Sequence, residues 1–193
     1  LGYTNPNIQA WLDKSLWPEM DFVSLIPFVQ ERVDAIKAQT SPDVVVVSVH
    51  SGTGKGDGSI LEAQGLDLFK SLKGVDVLLC SHDHLPRVEN SGSMCLVNTG
   101  SRAKNLGHVT LNLKYEKGKL VSKSIDSELI KIDPRRVDQK MEAFFASDYE
   151  KVKDFTLKPV GSLGEDLYTR YAFAGPCFYM DLIHKVQLSE SGA

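Results

Sequence analysis

The chain has 193 residues, of which 42% are hydrophobic and 24% charged, with a formal net charge of −3 and a pI near 6.0. That length accommodates one domain, or one domain and part of a second. The slight acidity argues against a nucleic-acid-binding surface, and no apolar run approaches the roughly 20 residues that a membrane span requires.

LGYTNP at the start reads as the tail of a strand running into a turn. Leu1 is not a methionine, and SESGA stops just after a helical pattern, so a piece of a longer protein is expected. Residues 21–39 carry Phe22, Ile26, Val29, Val33 and Ile36 at helical spacing, which predicts a helix with one apolar face. Pro42 separates it from Val44-Val45-Val46-Val47, a β-branched run that predicts a parallel strand buried on both faces. A glycine-rich loop over 51–59 leads into a predicted helix over 60–72, with Leu61, Leu68, Phe69 and Leu72 inward. Gly74 ends that helix, and residues 75–80 read as a second buried strand. The unit is strand–helix–strand, so its two strands should lie parallel.

The pattern then changes. Residues 94–97 suggest a short strand, and 109–115 alternate apolar with polar. Lys117-Gly118 makes a tight turn into 120–125, predicting an antiparallel hairpin. Asp133-Pro134 reads as the N-cap and first turn of a long helix, with Val137, Met141, Phe145, Tyr149 and Val152 as its apolar stripe. Pro159, Gly161 and Gly164 mark a boundary, and residues 177–188 read as a last helix. The fold class is α/β, with a mixed parallel and antiparallel sheet flanked by helices. Cys80 and Cys95 sit in apolar strand-like runs and Cys177 leaves the count odd, so buried thiols are expected, not a disulfide framework.

Three of the five histidines follow buried strands: His50 after VVVVSV, and His82 and His84 after VDVLLC. Ligands in open α/β sheets bind at the carboxyl ends of parallel strands. Neighbouring strands lie about 5 Å apart, so the three imidazoles are expected to converge on one edge of the sheet. In an extended His-x-His segment both rings would point to one side, which suits one ion or two. His108, at the start of a hairpin strand, and His184, within a helix, read as ordinary surface and helix residues. GTGKGDGS is not a phosphate-binding P-loop, because Val49 stands where the first glycine is required and Gly56 where the hydroxyl is required.

The segments DVVVVSVHSG, GVDVLLCSHDH and VNTGSRAKNLGHVTLNL resemble, in order, the later motifs of the calcineurin-like metallophosphoesterase superfamily. The branch they resemble most is the 5'-nucleotidase, 2',3'-cyclic-nucleotide phosphodiesterase and UDP-sugar hydrolase family. There one strand ends in His-Ser-Gly and another in Gly-His-x-His; this chain has Ser81 in place of the second glycine. LGYTNP with the following WL and LW also matches the stretch before the family's helix.

The resemblance implies a partial metallophosphatase β-sandwich over 1–132, a linker helix over 133–155, and the start of a C-terminal substrate domain over 156–193. It implies that His50 and His82 bind one divalent ion and His84 the other, with zinc, manganese or iron as candidates. The family's Asp-x-His, bridging Asp and Gly-Asn-His motifs come earlier, and none occurs here before His50. Asp13, Asp21, Asp34 and Asp43 lie in no matching motif. The catalytic histidine is therefore expected outside this chain, and no residue here is assigned a catalytic role.

Three neutral imidazoles bring no negative charge to hold two divalent ions. The chain alone is thus expected to bind little or no metal and to hydrolyse nothing, while its parent hydrolyses nucleotide phosphate esters. The alternatives are a UDP-sugar or thiosulfate-ester hydrolase, or a non-catalytic binding or scaffold domain that retains the fold. The residues that hold the nucleoside would lie beyond Ala193, and Phe173, Phe178 and Tyr179 read as core. Relatives of this kind are exported, which implies an extracytoplasmic location. Without the family's early strands, the VVVV strand is expected to present a bare edge, leading either to self-association over it or to rearranged packing.

Overall fold

The computed structural model describes residues 1–192. It divides into two compact units, residues 1–135 and the segment from Arg136 onward.

The first unit is built on a five-stranded sheet. Its strands are β1 (Gly2–Thr4), β2 (Val46–His50), β3 (Val77–Cys80), β4 (Arg87–Asn90) and β5 (Cys95–Asn98), in the order β1-β2-β3-β5-β4. β1, β2, β3 and β5 run parallel, and β4 pairs antiparallel with β5. The parallel strand–helix–strand unit is present, with Val46 opposite Val77 and Val49 opposite Cys80. β4, RVEN, was not anticipated; only its Val88 is apolar, as suits an edge strand.

Two helices cover one face of this sheet. α2 (Leu25–Thr40) turns Leu25, Val29 and Val33 inward at spacings of four. It starts later than its apolar pattern, and Pro27 falls in its first turn, where a missing N–H costs nothing. α3 (Gly65–Ser71) is shorter than expected and begins five residues late. Residues 62–66 instead bond to the segment after β2: the Gly52 N–H donates to the Glu62 carbonyl, and the Gly65 and Leu66 N–H groups to those of Gly52 and Thr53. These long-range bonds outcompete the local helix, and Leu61 is exposed, not inward. The core between helices and sheet joins Val29, Val33, Leu68 and Leu72 to Val47, Val49, Leu78 and Leu96. Leu78→Ala, at a fully buried position, should cost about 3 kcal/mol through the cavity it leaves. Urea unfolding would show this as a lower midpoint with an unchanged slope.

The opposite face is covered by a hairpin, β6 (Asn105–Glu116) and β7 (Lys119–Lys131), longer at both ends than the alternating runs predict. Its turn residues Lys117 and Gly118 both have positive φ, as a two-residue hairpin turn demands. Val109, Leu111, Ile125 and Leu129 pack on Val77, Cys95 and Val97. Tyr115 Oη donates to the Asp43 carboxylate at 2.8 Å, and Lys123 Nζ to the Asp43 carbonyl, fixing the hairpin beside the start of β2.

Two strand expectations are corrected. β2 is not buried on both faces: Val47 and Val49 are buried, whereas Val46 is 40% exposed and the neighbouring Leu79 is 38% exposed. Nor does β2 present a bare edge, because β1 pairs along it from Gly2–Ser48 to Thr4–His50. The sheet edges are β4 and the three-residue β1, so the VVVV strand has no bare edge through which copies could associate. Cys80 and Cys95 are buried in β3 and β5 as expected, and burial pushes the Cys80 thiol up to about 12, with the nearby Asp83 carboxylate adding to it.

The second unit contains α4 (Gln139–Thr156) and α5 (Phe178–Ser191). The N-cap of α4 is Asp138, whose carboxylate accepts from the Lys140 and Met141 N–H groups. Asp133 does not cap it; Arg135 takes that carboxylate through its backbone N–H and its guanidinium. Within this unit the α4 side chains Met141, Phe145 and Tyr149 are exposed along one face. Phe173 is fully exposed and is not a core residue, while Phe178 and Tyr179 are half-buried. Among the described residues no helix is long and apolar enough to cross a membrane.

Candidate functional site

The carboxyl ends of β2, β3 and β5 meet at one edge of the sheet and supply His50, the Ser81–His84 turn and Asn98 respectively. Each is held by specific bonds. The His50 carbonyl accepts from both the backbone N–H and the Nδ2 of Asn5, a buried residue just after β1. His50 Nδ1 lies 3.0 Å from Ser81 Oγ, which engages that ring nitrogen and leaves Nε2 for a ligand. The serine that replaces the resembling motif's glycine therefore orients a histidine of the site.

His82 meets two rings, stacking on one and lying edge to face with the other. Its centroid is 5.2 Å from that of Trp11, nearly parallel at 24°, and 5.2 Å from that of His50, edge to face at 71°. Trp11 ends a short helix, α1 (Ile8–Trp11), which follows the turn after β1. His82 Nε2 also lies 3.6 Å from the Glu62 carboxylate. Glu62 is set there by Ser51, whose buried hydroxyl donates to the Glu62 carbonyl and accepts from the Gln64 N–H. Gly52 permits the close approach: a Cβ there would come within 2.8 Å of Ala63 Cβ and 2.9 Å of Asp83 Cβ.

The His-x-His segment is not extended. His82 and His84 both have positive φ, at 78° and 59°, so the premise that their rings share one side of a strand fails. The reason is Asp83. Its carboxylate accepts from the Thr53 N–H, from Asn98 Nδ2 at 2.7 Å and from the Leu85 N–H at 3.2 Å. Asn98 in turn donates to Thr53 Oγ1 and accepts from the Gly100 N–H. Pulling this carboxylate inward bends the chain into the left-handed region on either side, a conformation that costs of order 1 kcal/mol per residue and clusters at functional sites.

The structure thus brings His50 and His82 together, with Glu62 beside them. It does not gather all three predicted ligands. Among the described residues no group of three or more His, Cys, Asp or Glu side chains is placed to hold a metal ion, so His84 does not complete such a group. The donor chemistry agrees: Asp83 spends its oxygens on structural bonds, and no other carboxylate bridges the imidazoles. The described residues do not by themselves fit a two-ion centre. His108 lies on the hairpin with its Nδ1 3.2 Å from the Glu128 carboxylate, and His184 is exposed on α5.

Trp11, Glu62, Asp83 and Asn98 were not among the residues singled out by sequence. Asp83 and Asn98 lie inside the segments SHDH and VNTG, but their bonds span residues 53–98 and no local pattern shows them.

No protein-family model matches the chain. Over 189 residues it is 23% identical to the trifunctional nucleotide phosphoesterase protein YfkN of Bacillus subtilis, covering 89% of this chain and 13% of that protein. The crystal structure of the calcineurin-like phosphoesterase YfkN superposes with a TM-score of 0.69 at 18% identity, over 82% of this chain and 52% of the other. A Staphylococcus aureus protein described as a 5'-nucleotidase, solved with α-ketoglutarate, gives 0.68 at 19% identity over 90% and 34%. The sulfate thiohydrolase SoxB of Thermus thermophilus gives 0.57 at 22% over 80% and 27%. The chain therefore spans about half or less of the length of each relative it matches. By sequence the chain is distantly similar to the nucleotide phosphoesterase YfkN, and it shares its fold with these calcineurin-like phosphoesterase, 5'-nucleotidase and SoxB structures.

Proposed function

We propose that this chain contributes the histidine side of a two-metal site that hydrolyses phosphate esters of nucleotides. In this reading His50 and His82 are ligands to one divalent zinc, manganese or iron ion, and His84 serves the second ion only once residues outside these 193 complete the centre. The carboxylates that bridge the ions, and the catalytic histidine, come from residues outside these 193. The observation that carries the reading is the pairing of His50 and His82 at the carboxyl edge of the sheet, in a chain related to nucleotide phosphoesterases. Divalent ions completed there by the missing carboxylates would supply Lewis-acid charge to a phosphoryl group. The residues present here orient imidazoles: Ser81 engages His50, and Trp11 and Glu62 flank His82.

The likeness to SoxB keeps a sulfur-ester substrate as the second reading. The extracytoplasmic location carried by the resemblance belongs to this proposal as well. The purified chain should show no metal-dependent hydrolysis of a nucleoside 5'-monophosphate or an aryl phosphate with zinc or manganese added. Turnover that disappears in His82→Ala would show that the chain already holds a complete site and would overturn the division of ligands.

A further inference from the structure

At the far end of the same strands, away from the histidines, lies a pocket of about 450 Å³. It opens before β3 and β5, between Lys37, Lys73, Gly74, Asp76, Ser93 and Lys123. Its size falls within the range of small-molecule sites. Three ammonium groups face one carboxylate, a surplus of two positive charges in a chain whose net charge is −3.

The three lysines are not equivalent. Asp76 is buried, accepts from the Val45 N–H at 2.8 Å and forms an ion pair with Lys123, which also donates to the Asp43 carbonyl. That pair is internally neutral and holds the floor of the pocket. Lys37 and Lys73 have no carboxylate within ion-pair distance among the described residues. Both residues are exposed, and their neighbours set the backbone of one and the tail of the other beside the pocket. The Lys73 backbone is clamped by Gln30, which accepts from its N–H at 2.9 Å and donates to its carbonyl at 3.2 Å. Lys37 Nζ rests against Gly74, where a Cβ would lie 2.7 Å from it, and the φ of 74° at that position favours glycine.

We infer that this pocket binds a phosphate dianion, held between the ammonium groups of Lys37 and Lys73 with the Ser93 hydroxyl at its rim. Two exposed, uncompensated cations beside the pocket match two negative charges, and a partly enclosed wall strengthens each attraction over that in bulk water. The lysines remain partly hydrated, so affinity should be modest, with a Kd on the order of 1 mM. The volume leaves room for an organic substituent, so the dianion is either the free ion or the head of a phosphomonoester.

The test is an amide NMR titration of the full chain with sodium phosphate and with phenyl phosphate, at constant ionic strength against chloride. Saturable shifts at Gly74, Gly92 and Ser93 are expected, weakened about tenfold in Lys37→Gln or Lys73→Gln and lost in the double variant. Lys55→Gln, on the loop after His50, should titrate as the parent does. Tighter binding of phenyl phosphate would identify the ester as the preferred form, and tighter binding of phosphate the free ion. Unsaturable shifts spread over the surface lysines, or a double variant that titrates like the parent, would overturn the site. Amides of Gly52 and Leu85 report separately on the histidine edge, and the titration needs neither metal nor turnover, so its failure leaves the phosphoesterase reading untouched.

Discussion

Asp83→Ala should destabilise the chain by about 3 kcal/mol or more, although the residue lies in a partly exposed turn. Its carboxylate accepts from the Thr53 N–H and from Asn98 Nδ2, and both of those residues are buried. A hydrogen bond to a charged group contributes about 1.5–3 kcal/mol, and stranding a buried donor adds its desolvation cost. Asp83→Asn retains the size but replaces one acceptor oxygen with an NH2 group. Whichever way the amide turns, a donor then faces the Thr53 N–H or the Asn98 amide, so Asn should rescue little. Urea unfolding of both variants checks this; a near-neutral Asp83→Asn would show that the turn does not depend on the carboxylate. The same substitution should release the left-handed conformation of His82 and His84, seen as faster amide exchange in that turn.

Gly54→Ala should cost more than about 3 kcal/mol, and the comparison with Gly58→Ala explains why. Both glycines belong to the loop after β2 and both have positive φ, at 69° and 73°. A Cβ on Gly58 meets nothing within 4 Å, so its alanine variant carries only the left-handed backbone penalty of about 1–2 kcal/mol. A Cβ on Gly54 would lie 1.8 Å from the Ala63 carbonyl oxygen, a contact that no side-chain rotation relieves. The backbone must separate, and with it the bonds that join residues 51–53 to 62–66 and hold Glu62 near His82. Thermal unfolding of the two variants isolates the steric component. Equal losses would mean that the loop is not packed against Ala63 in solution.

These two variants probe what a linear reading could not reach. The strand–helix–strand unit and the hairpin were legible because their apolar periodicities are local: Val47 and Val49, Leu78 and Cys80, Val109 and Leu111. The start of α3 was not, because the Glu62 carbonyl and the Gln64 N–H bond to Gly52 and Ser51 rather than within a helical turn. The cap of α4 was misplaced since Asp133 and Asp138 both suit an N-cap, and Arg135 decides between them by engaging the first. At the site, the positions of His50 and His82 followed from where buried strands end. The bend that keeps His84 from completing a three-ligand group depends on a carboxylate whose partners are 15 and 30 residues away.

The proposed function requires the strand-end imidazoles to be metal ligands. A zinc titration of the chain, followed through the imidazole nitrogen shifts of all five histidines, tests it most directly. The account predicts that His50 and His82 respond together at the lowest zinc concentration, before His108 and His184. A response of His108 or His184 at the same or a lower zinc concentration would contradict it.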